Sequence, residues 1–322
     1  MQLSGERVIA GNAVPVRDNV PAHRAFARFA WGVLAYNILV ILWGALVRAT
    51  GSGAGCGGHW PLCNGDVVPQ VSQAATAIEF THRIMSGIAL IVVVAMFAWA
   101  FKSLPQGHRA RKWAAWSLVF ILTEALLGAA LVLLGHVAKD QSSGRVYSLT
   151  THLINTFSLL ASMALTAWWA TVPASDQRRA TGSKRPVALA IGALVVVGVA
   201  GAITALGDTL FPPRTLAEGF AEDFSTASNM LIRLRVIHPA LAVAASALIA
   251  ALAFPALRSD KSRALRVLGA TLLGLLVMQM AAGTLTILLK APVPMQLLHL
   301  LIADCLWISL VLFSSENLRQ NG

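Results

Sequence analysis

The sequence predicts an all-α, polytopic membrane protein whose eight transmembrane helices form two four-helix bundles. Of the 322 residues, 57% are hydrophobic and 12% are charged, which is about half the charged fraction of an average soluble domain. Eight apolar runs are each long enough to cross a bilayer as a helix of about 20 residues. They cover residues 29–48, 78–101, 113–134, 149–171, 187–206, 231–254, 265–289 and 295–314. This pattern excludes a water-soluble enzyme.

The distribution of charge predicts the orientation of the helices. The net charge is +11, and 17 of the 25 Lys and Arg residues lie in or beside the segments that share a side with the N-terminus. The positive-inside rule assigns that side to the cytoplasm, so both termini are expected there. The basic excess is therefore interpreted as a topology signal and a contact with anionic lipid, and no nucleic-acid partner is expected. A multi-pass protein of a bacterial plasma (inner) membrane is the expected class.

Four pairs of landmarks recur at nearly one spacing, which predicts an internal repeat. The pairs are residues 44–51 and 201–207, Glu124 and Gln279, His82 and His238, and His152 and His299. Their offsets are 157, 155, 156 and 147 residues. Because each half holds an even number of spans, the two repeats enter the membrane in the same orientation and are related by an axis along the membrane normal.

The repeat divides the chain into five segments. They are a cytoplasmic N-terminal segment (1–28), an N-terminal four-helix bundle (29–171), a basic cytoplasmic linker (172–186), a C-terminal four-helix bundle (187–314) and a cytoplasmic tail (315–322). Sites in such bundles are built from side chains that face the bundle interior.

Four histidines lie in the even-numbered apolar runs, near the ends that face outward. They are His82, His152, His238 and His299. A polar ring at this depth in the membrane is costly unless it faces the bundle interior and has a partner there. Two imidazoles from facing helices suit the two axial positions of a haem iron, whereas zinc or copper requires three or four converging ligands. We therefore predict one haem site in each half, both on the extracytoplasmic side.

Acidic residues distinguish the first half from the second. Glu79 lies three residues before His82, on the same helix face, whereas residues 235–239 contain no acid. Glu79 is interpreted either as a helix-start carboxylate that the macrodipole favours or as a proton acceptor or electrostatic stabiliser beside a reacting porphyrin. Glu124 is expected to form helix–helix hydrogen bonds, and Asp304 has no assigned role.

The first outer loop carries two cysteines, Cys56 and Cys63, in a Gly-rich segment. In an oxidising compartment the pair is expected to form a disulfide. A redox-active pair and a structural disulfide are both compatible with the sequence. Cys305, inside the last apolar run, is expected to pack as a small apolar residue.

Several arginines lie at the depth expected for haem propionates. They are Arg48, Arg83, Arg233 and Arg235. Ion pairs with propionates and extension of the side chains toward the outer headgroups both explain this placement.

Three parts of the sequence resemble the haem A synthase family. They are residues 44–53, Cys56 with residues 60–63, and the run Glu79-Phe80-Thr81-His82-Arg83. The resemblance covers residues 29–314. It implies an oxidoreductase that oxidises the methyl group of haem O to a formyl group, giving haem A for terminal oxidases. It also implies that His238 and His299 hold a haem b cofactor, and that His82, His152 and Glu79 form the substrate haem O site near the Cys56–Cys63 disulfide.

The implied partners are haem O synthase, cytochrome oxidase assembly factors and an unidentified electron acceptor. In one departure from the family pattern, Pro239 follows His238 where relatives often carry Arg, and Pro can kink a helix and alter the tilt of His238. Residues 207–230 also lack the second cysteine pair of some relatives. The alternative class is a di-haem membrane electron-transfer protein, a quinol or disulfide oxidoreductase that leaves its haems unmodified.

Overall fold

A computed structural model describes residues 20–70, 73–173, 177, 184–258 and 262–320. Within these ranges the regular secondary structure is helical, with no β-strand. The long helices are α1 (Val20–Ala49), α2 (Ala74–Ser103), α3 (Arg109–Leu133), α4 (Ser143–Thr171), α5 (Arg185–Leu210), α8 (Ile237–Leu257), α9 (Arg263–Leu288) and α10 (Val293–Gln320). Between α5 and α8 lie the short helices α6 (Leu216–Phe224) and α7 (Met230–Arg233) and a 3₁₀ turn at Leu234–Val236.

The described part of the chain contains eight helical stretches that are long and apolar enough to cross a bilayer, which confirms a multi-pass membrane protein. Several helices extend beyond the apolar runs. Helix α1 begins at Val20, inside the predicted N-terminal segment, and α10 continues to Gln320 in the predicted tail. Polar residues that flank the apolar runs continue these helices, because hydrogen bonds within the helix satisfy the backbone N–H and C=O groups there as well.

The long helices form two four-helix bundles within the described ranges. Helices α1 to α4 pack in order, and α4 closes the first ring against α1. Helices α5, α8, α9 and α10 close a second ring in the same way. The bundles meet where α1 and α4 contact α5 and α10. The axis relating the two halves, and the side of the membrane on which each end lies, stay predictions.

Each bundle is packed most densely at the end away from the cysteine loop. In the first bundle Phe26, Ala100, Ala110 and Trp169 are buried at that end, and the second bundle buries Ile249 and other apolar residues of α8, α9 and α10 there. Small residues such as these alanines let membrane helices approach closely enough for van der Waals packing to hold them together. The opposite ends are less tightly filled, and the four predicted ligand histidines lie there, each partly exposed.

The sixth apolar run, which the sequence predicts as one span that Pro239 can kink, is divided among α7, the 3₁₀ turn and α8. The cause is Pro239, which has no amide hydrogen and whose ring would clash with the carbonyl of Arg235 in a continuous α-helix. Pro239 instead lies in the first turn of α8, where a missing amide hydrogen leaves no bond unmade. His238 is therefore fixed at the start of a new helix.

Candidate functional site

The four histidines lie on diagonal helices of their bundles. His82 is on α2 and His152 on α4, which face each other across the first ring, and α8 and α10 have the same relation in the second. In the second bundle the rings of His238 and His299 have centroids 6.4 Å apart and planes at 88°. The two rings of this predicted pair therefore lie close together, and their binding of iron stays a prediction.

The separation of these two rings can be compared with what one iron requires. A metal–imidazole bond of about 2.0–2.1 Å, with about 1.1 Å more from nitrogen to ring centre, places two opposite imidazoles about 6.3 Å apart. The 6.4 Å between His238 and His299 matches this distance. The Nδ1 atoms of all four histidines are also buried without a hydrogen-bond partner among the described residues. His238 and His299 thus fit a haem iron.

Glycines of neighbouring helices pack against three of the four rings. A Cβ atom on Gly44 of α1 would lie 2.9 Å from Cε1 of His82, and one on Gly201 of α5 would lie 2.9 Å from Cε1 of His238. On Gly283 of α9 it would lie 3.0 Å from Cε1 of His299. At these positions any side chain would displace the imidazole, so glycine sets the position of the ring.

The corresponding residues Glu124 and Gln279 each contact a ligand histidine, a relationship that sequence reasoning missed. Oε1 of Glu124 lies 3.6 Å from Nδ1 of His152, and the side-chain nitrogen of Gln279 lies 3.3 Å from Nε2 of His299. Glu124 also accepts hydrogen bonds from Asn155 and Thr156 of α4, so the helix–helix role expected for it is confirmed. The 155-residue offset between Glu124 and Gln279 was the signal in the sequence that could have predicted their contacts with the histidines.

Cys56 and Cys63 form a disulfide, as predicted. Both cysteines are buried, with exposed fractions of 0% and 1%. Gly55 explains how the loop approaches α2, since a Cβ there would lie 2.4 Å from the backbone of Ala75. The loop is therefore packed directly on the first turn of α2.

Glu79 joins this loop to α2. Its carboxylate is buried, and Oε2 accepts a hydrogen bond of 2.8 Å from the backbone amide of Cys56. Oε1 pairs with Arg83, which donates further hydrogen bonds to the carbonyls of His59 and Leu62. Both carboxylate oxygens are thus engaged by the cysteine loop and by Arg83.

Arg48 connects the two bundles. Its guanidinium donates to the carbonyl of Ala205 at 2.7 Å and to the hydroxyl of Thr209 at 3.0 Å, both on α5. It also donates to the side-chain oxygen of Gln296 on α10 at 3.0 Å. A residue predicted to meet a propionate therefore also joins α1 to the second bundle.

Arg235 is buried beside two carboxylates. Its Nε lies 3.2 Å from Asp208, and its Nη1 lies 3.9 Å from Asp223 of α6. It also donates to the carbonyl of Phe211 at 2.6 Å. Burial raises the pKa of Asp223 despite the opposing effect of Arg235. Arg233, by contrast, is exposed.

Arg145, which the sequence did not single out, is buried at the start of α4. Its guanidinium donates to the carbonyls of Ala138 and Asp140 at 2.6 and 2.7 Å, and the Ser142 hydroxyl accepts from its backbone amide. These contacts fix the helix that carries His152.

Asp304 and Cys305 lie further along α10. Asp304 is 1% exposed, and its Oδ2 has no hydrogen-bond partner among the described residues. Cys305 is a free, partly buried cysteine, which agrees with its expected packing role.

Comparisons with known proteins agree with this arrangement. A sequence model of a family described as cytochrome oxidase assembly protein matches residues 27–311. The chain is 44% identical over 304 residues to a protein of Thermus thermophilus named protoheme IX farnesyltransferase, covering 94% of this chain and 50% of that protein.

Two shorter matches are to proteins named heme A synthase. The chain is 41% identical over 98 residues to that of Alkalihalophilus pseudofirmus, covering 30% of this chain and 33% of the relative. It is 39% identical over 112 residues to that of Geobacillus kaustophilus, covering 35% of each. The chain thus spans about half the length of its Thermus relative and matches about a third of each heme A synthase.

Proposed function

Because the chain belongs to the cytochrome oxidase assembly protein family, we propose that it is a haem A synthase, which oxidises the methyl group of haem O to a formyl group. The observation that carries the proposal is the facing pair His238 and His299, whose 6.4 Å separation suits two axial ligands of one iron. The similarity to two proteins named heme A synthase supports it.

The second bundle holds the resident cofactor, haem b, in this proposal. A bound haem supplies one-electron oxidation and reduction. His238 and His299 provide the two ligands, and Gly201 and Gly283 keep their rings in place. A haem held there would accept electrons removed from the substrate and pass them to an unidentified acceptor.

The first bundle holds the substrate, haem O, between His82 and His152. In each of two successive hydroxylations the methyl carbon loses two electrons and two protons and gains the oxygen of one water molecule, and loss of one water from the resulting diol gives the formyl group. Glu79 lies one turn from His82 on α2, where its carboxylate accepts a proton or stabilises positive charge that develops on the methyl carbon. Its bonds to Cys56 and Arg83 hold the carboxylate in a fixed place, which such a role requires.

The arginines at this end of the bundles bind the propionates. Arg48, Arg83 and Arg235 each donate to backbone carbonyls in the structure. A propionate carboxylate can accept two parallel hydrogen bonds from one guanidinium, which a single carbonyl oxygen does not offer in the same geometry. Arg83 also keeps Glu79 and the cysteine loop together while it does so.

Both haem sites and the cysteine loop face the extracytoplasmic side in this proposal, since the positively charged segments lie at the other end. The substrate comes from haem O synthase, which attaches the farnesyl group to protohaem. The Thermus relative, named for that reaction, is about twice as long as its match with this chain. Its length leaves room for the two activities in one polypeptide. The product passes to cytochrome oxidase assembly factors.

Pigment analysis tests the proposal. The chain is expressed in cells that make haem O, and the haems are extracted with acid and identified by mass. We expect haem A, and we expect its loss in His82→Ala and His152→Ala variants that retain haem b. Two identical unmodified haems would identify the alternative, a di-haem electron-transfer protein. New haem O in cells that otherwise lack it would identify farnesyl transfer instead.

A further inference from the structure

Glu124 is one of the charged residues that distinguish the surroundings of the two predicted iron sites. Glu124 on α3 and Gln279 on α9 occupy corresponding positions of the repeat, and each contacts the ligand histidine of the next long helix. The contact is a carboxylate oxygen 3.6 Å from His152 Nδ1 in the first bundle. In the second it is a neutral amide 3.3 Å from His299 Nε2.

The Glu124 carboxylate is held in place by α4. Thr156 donates its hydroxyl to Oε1, and Asn155 donates its amide to Oε2. Asn155 is itself fixed, because it donates to the carbonyl of Phe120 at 2.9 Å and accepts from the Thr123 hydroxyl at 2.6 Å. Two donors on two oxygens leave the carboxylate little freedom to turn away from His152.

A carboxylate this close to a ligand imidazole acts on the bound metal through that ring. Its negative charge stabilises positive charge on the imidazole and on the metal, and the oxidised metal carries one more positive charge than the reduced metal. The reduction potential therefore falls. A neutral amide has no net charge to exert this effect.

We propose that Glu124 is a positioning residue that acts through His152 and lowers the reduction potential of the first-bundle iron below that of the iron at His238 and His299. The inference rests on the proposed haem binding. If haem iron occupied both sites, electron transfer from the first-bundle iron to the second-bundle iron would then be favourable. The substrate half is thereby the electron donor and the cofactor half the acceptor.

Potentiometric titration of the purified full chain, with protohaem bound in both bundles, tests this inference. Glu124→Gln removes the negative charge that lies 3.6 Å from His152 Nδ1 and keeps the length of the side chain. We expect it to raise the lower of the two midpoints and leave the upper one unchanged. A tenfold change in the one-electron equilibrium corresponds to about 59 mV, and we expect a shift of at least that size.

Two further variants sharpen the test. Gln279→Glu should lower the upper midpoint by a similar factor, and Glu124→Asp, which keeps the charge, should restore most of the wild-type separation. Ser117→Ala is the matched structural control, because it removes a buried 3.1 Å hydrogen bond between α3 and α4 that involves neither Glu124 nor His152. It should lower thermal stability and leave both midpoints unchanged.

The inference is overturned if Glu124→Gln and Gln279→Glu alter thermal stability alone and shift neither midpoint. If Glu124→Gln does not fold, the midpoint measured for Gln279→Glu decides whether the inference stands. The titration uses protohaem and needs no haem A. A wild-type chain that shows the shift but forms no haem A would therefore contradict the proposed function and not this inference. Haem A formation without the shift would contradict this inference and not the proposed function.

Discussion

The Oε2 oxygen of Glu79 accepts a 2.8 Å hydrogen bond from the backbone amide of Cys56. This bond joins one residue of the disulfide to the helix that carries His82. Arg83 completes the connection by pairing with Glu79 and donating to the carbonyl of Leu62. The loop and the predicted substrate site are therefore one mechanical unit.

Glu79→Gln should destabilise this unit and abolish haem A formation. The amide replaces one acceptor oxygen by a donor and removes the charge that pairs with Arg83. Hydrogen bonds to charged groups contribute about 1.5–3 kcal/mol, and we expect the free energy of unfolding to fall by a similar amount. Thermal unfolding in detergent and pigment extraction measure the two effects.

Arg83→Gln separates these two roles of Glu79. It removes the ion pair and the bonds to the loop carbonyls while the carboxylate still accepts from Cys56. We expect a comparable loss of stability with part of the haem A formation retained. Full activity of Glu79→Gln would show that the carboxylate takes no part in the chemistry.

The Cys56–Cys63 disulfide should react slowly with added reductant in the folded protein. Both cysteines are buried, and thiol–disulfide exchange requires access to a sulfur atom. Mass measurement after thiol labelling during treatment with dithiothreitol gives the rate. Glu79→Gln should accelerate the reaction by loosening the loop. Equal rates in the folded and unfolded wild-type protein would instead favour a redox-active pair.

Gly44→Ala should weaken haem binding in the first bundle. The new methyl group would lie 2.9 Å from Cε1 of His82, so the imidazole has to move. Haem content by the pyridine haemochrome method, together with the reduced spectrum, should show loss of one haem. Gly128→Ala is the matched control on α3, because its added methyl group meets no atom of the described residues within 4 Å. Equal haem contents in the two variants would show that Gly44 does not set the ring position.

Asp208→Asn should destabilise the second bundle more than Asp223→Asn does. Asp208 is the nearer partner of the buried Arg235, at 3.2 Å against 3.9 Å, and an uncompensated buried charge costs about 3–5 kcal/mol. Thermal unfolding of the two variants measures the difference. An equal loss in both would mean that the two carboxylates share the charge of Arg235.

The stability that Asp223 contributes should depend on pH. Because burial raises its pKa, the folded state favours the protonated form. This contribution is fully present below the ordinary aspartate pKa of about 3.9 and is lost as the pH rises through the raised value. Asp223→Asn should remove this part of the pH dependence, which hydrogen exchange of the α6 amides can follow. An unchanged profile in the variant would assign it to another group.

The sequence predicted the eight spans, the disulfide and the facing pair of the second bundle, because each depends on local pattern. Hydropathy marks a span, and alternate helices of a four-helix ring lie diagonally, so histidines on the even-numbered spans face each other. The hydrogen bonds of Glu124 between α3 and α4 were likewise predicted, because its counterpart Gln279 is neutral and polar.

Long-range partners were not predictable in the same way. Arg48 was interpreted as a propionate ligand or a headgroup contact, and its hydrogen bonds to Ala205 and Gln296 depend on how the two bundles dock. The 3₁₀ turn before His238 depends on how the chain accommodates Pro239. Short helix α6, only nine residues long, is too brief to give a span-length hydropathy signal.

The guanidinium of Arg48 completes hydrogen bonds that belong to the other half, with Thr209 and Gln296 as its acceptors. Chimeras that combine one half of this chain with the complementary half of a relative will therefore assemble properly only when the grafted half presents the same acceptors. The two bundles are therefore matched to each other at this contact, and neither can be exchanged without the arginine or its acceptors.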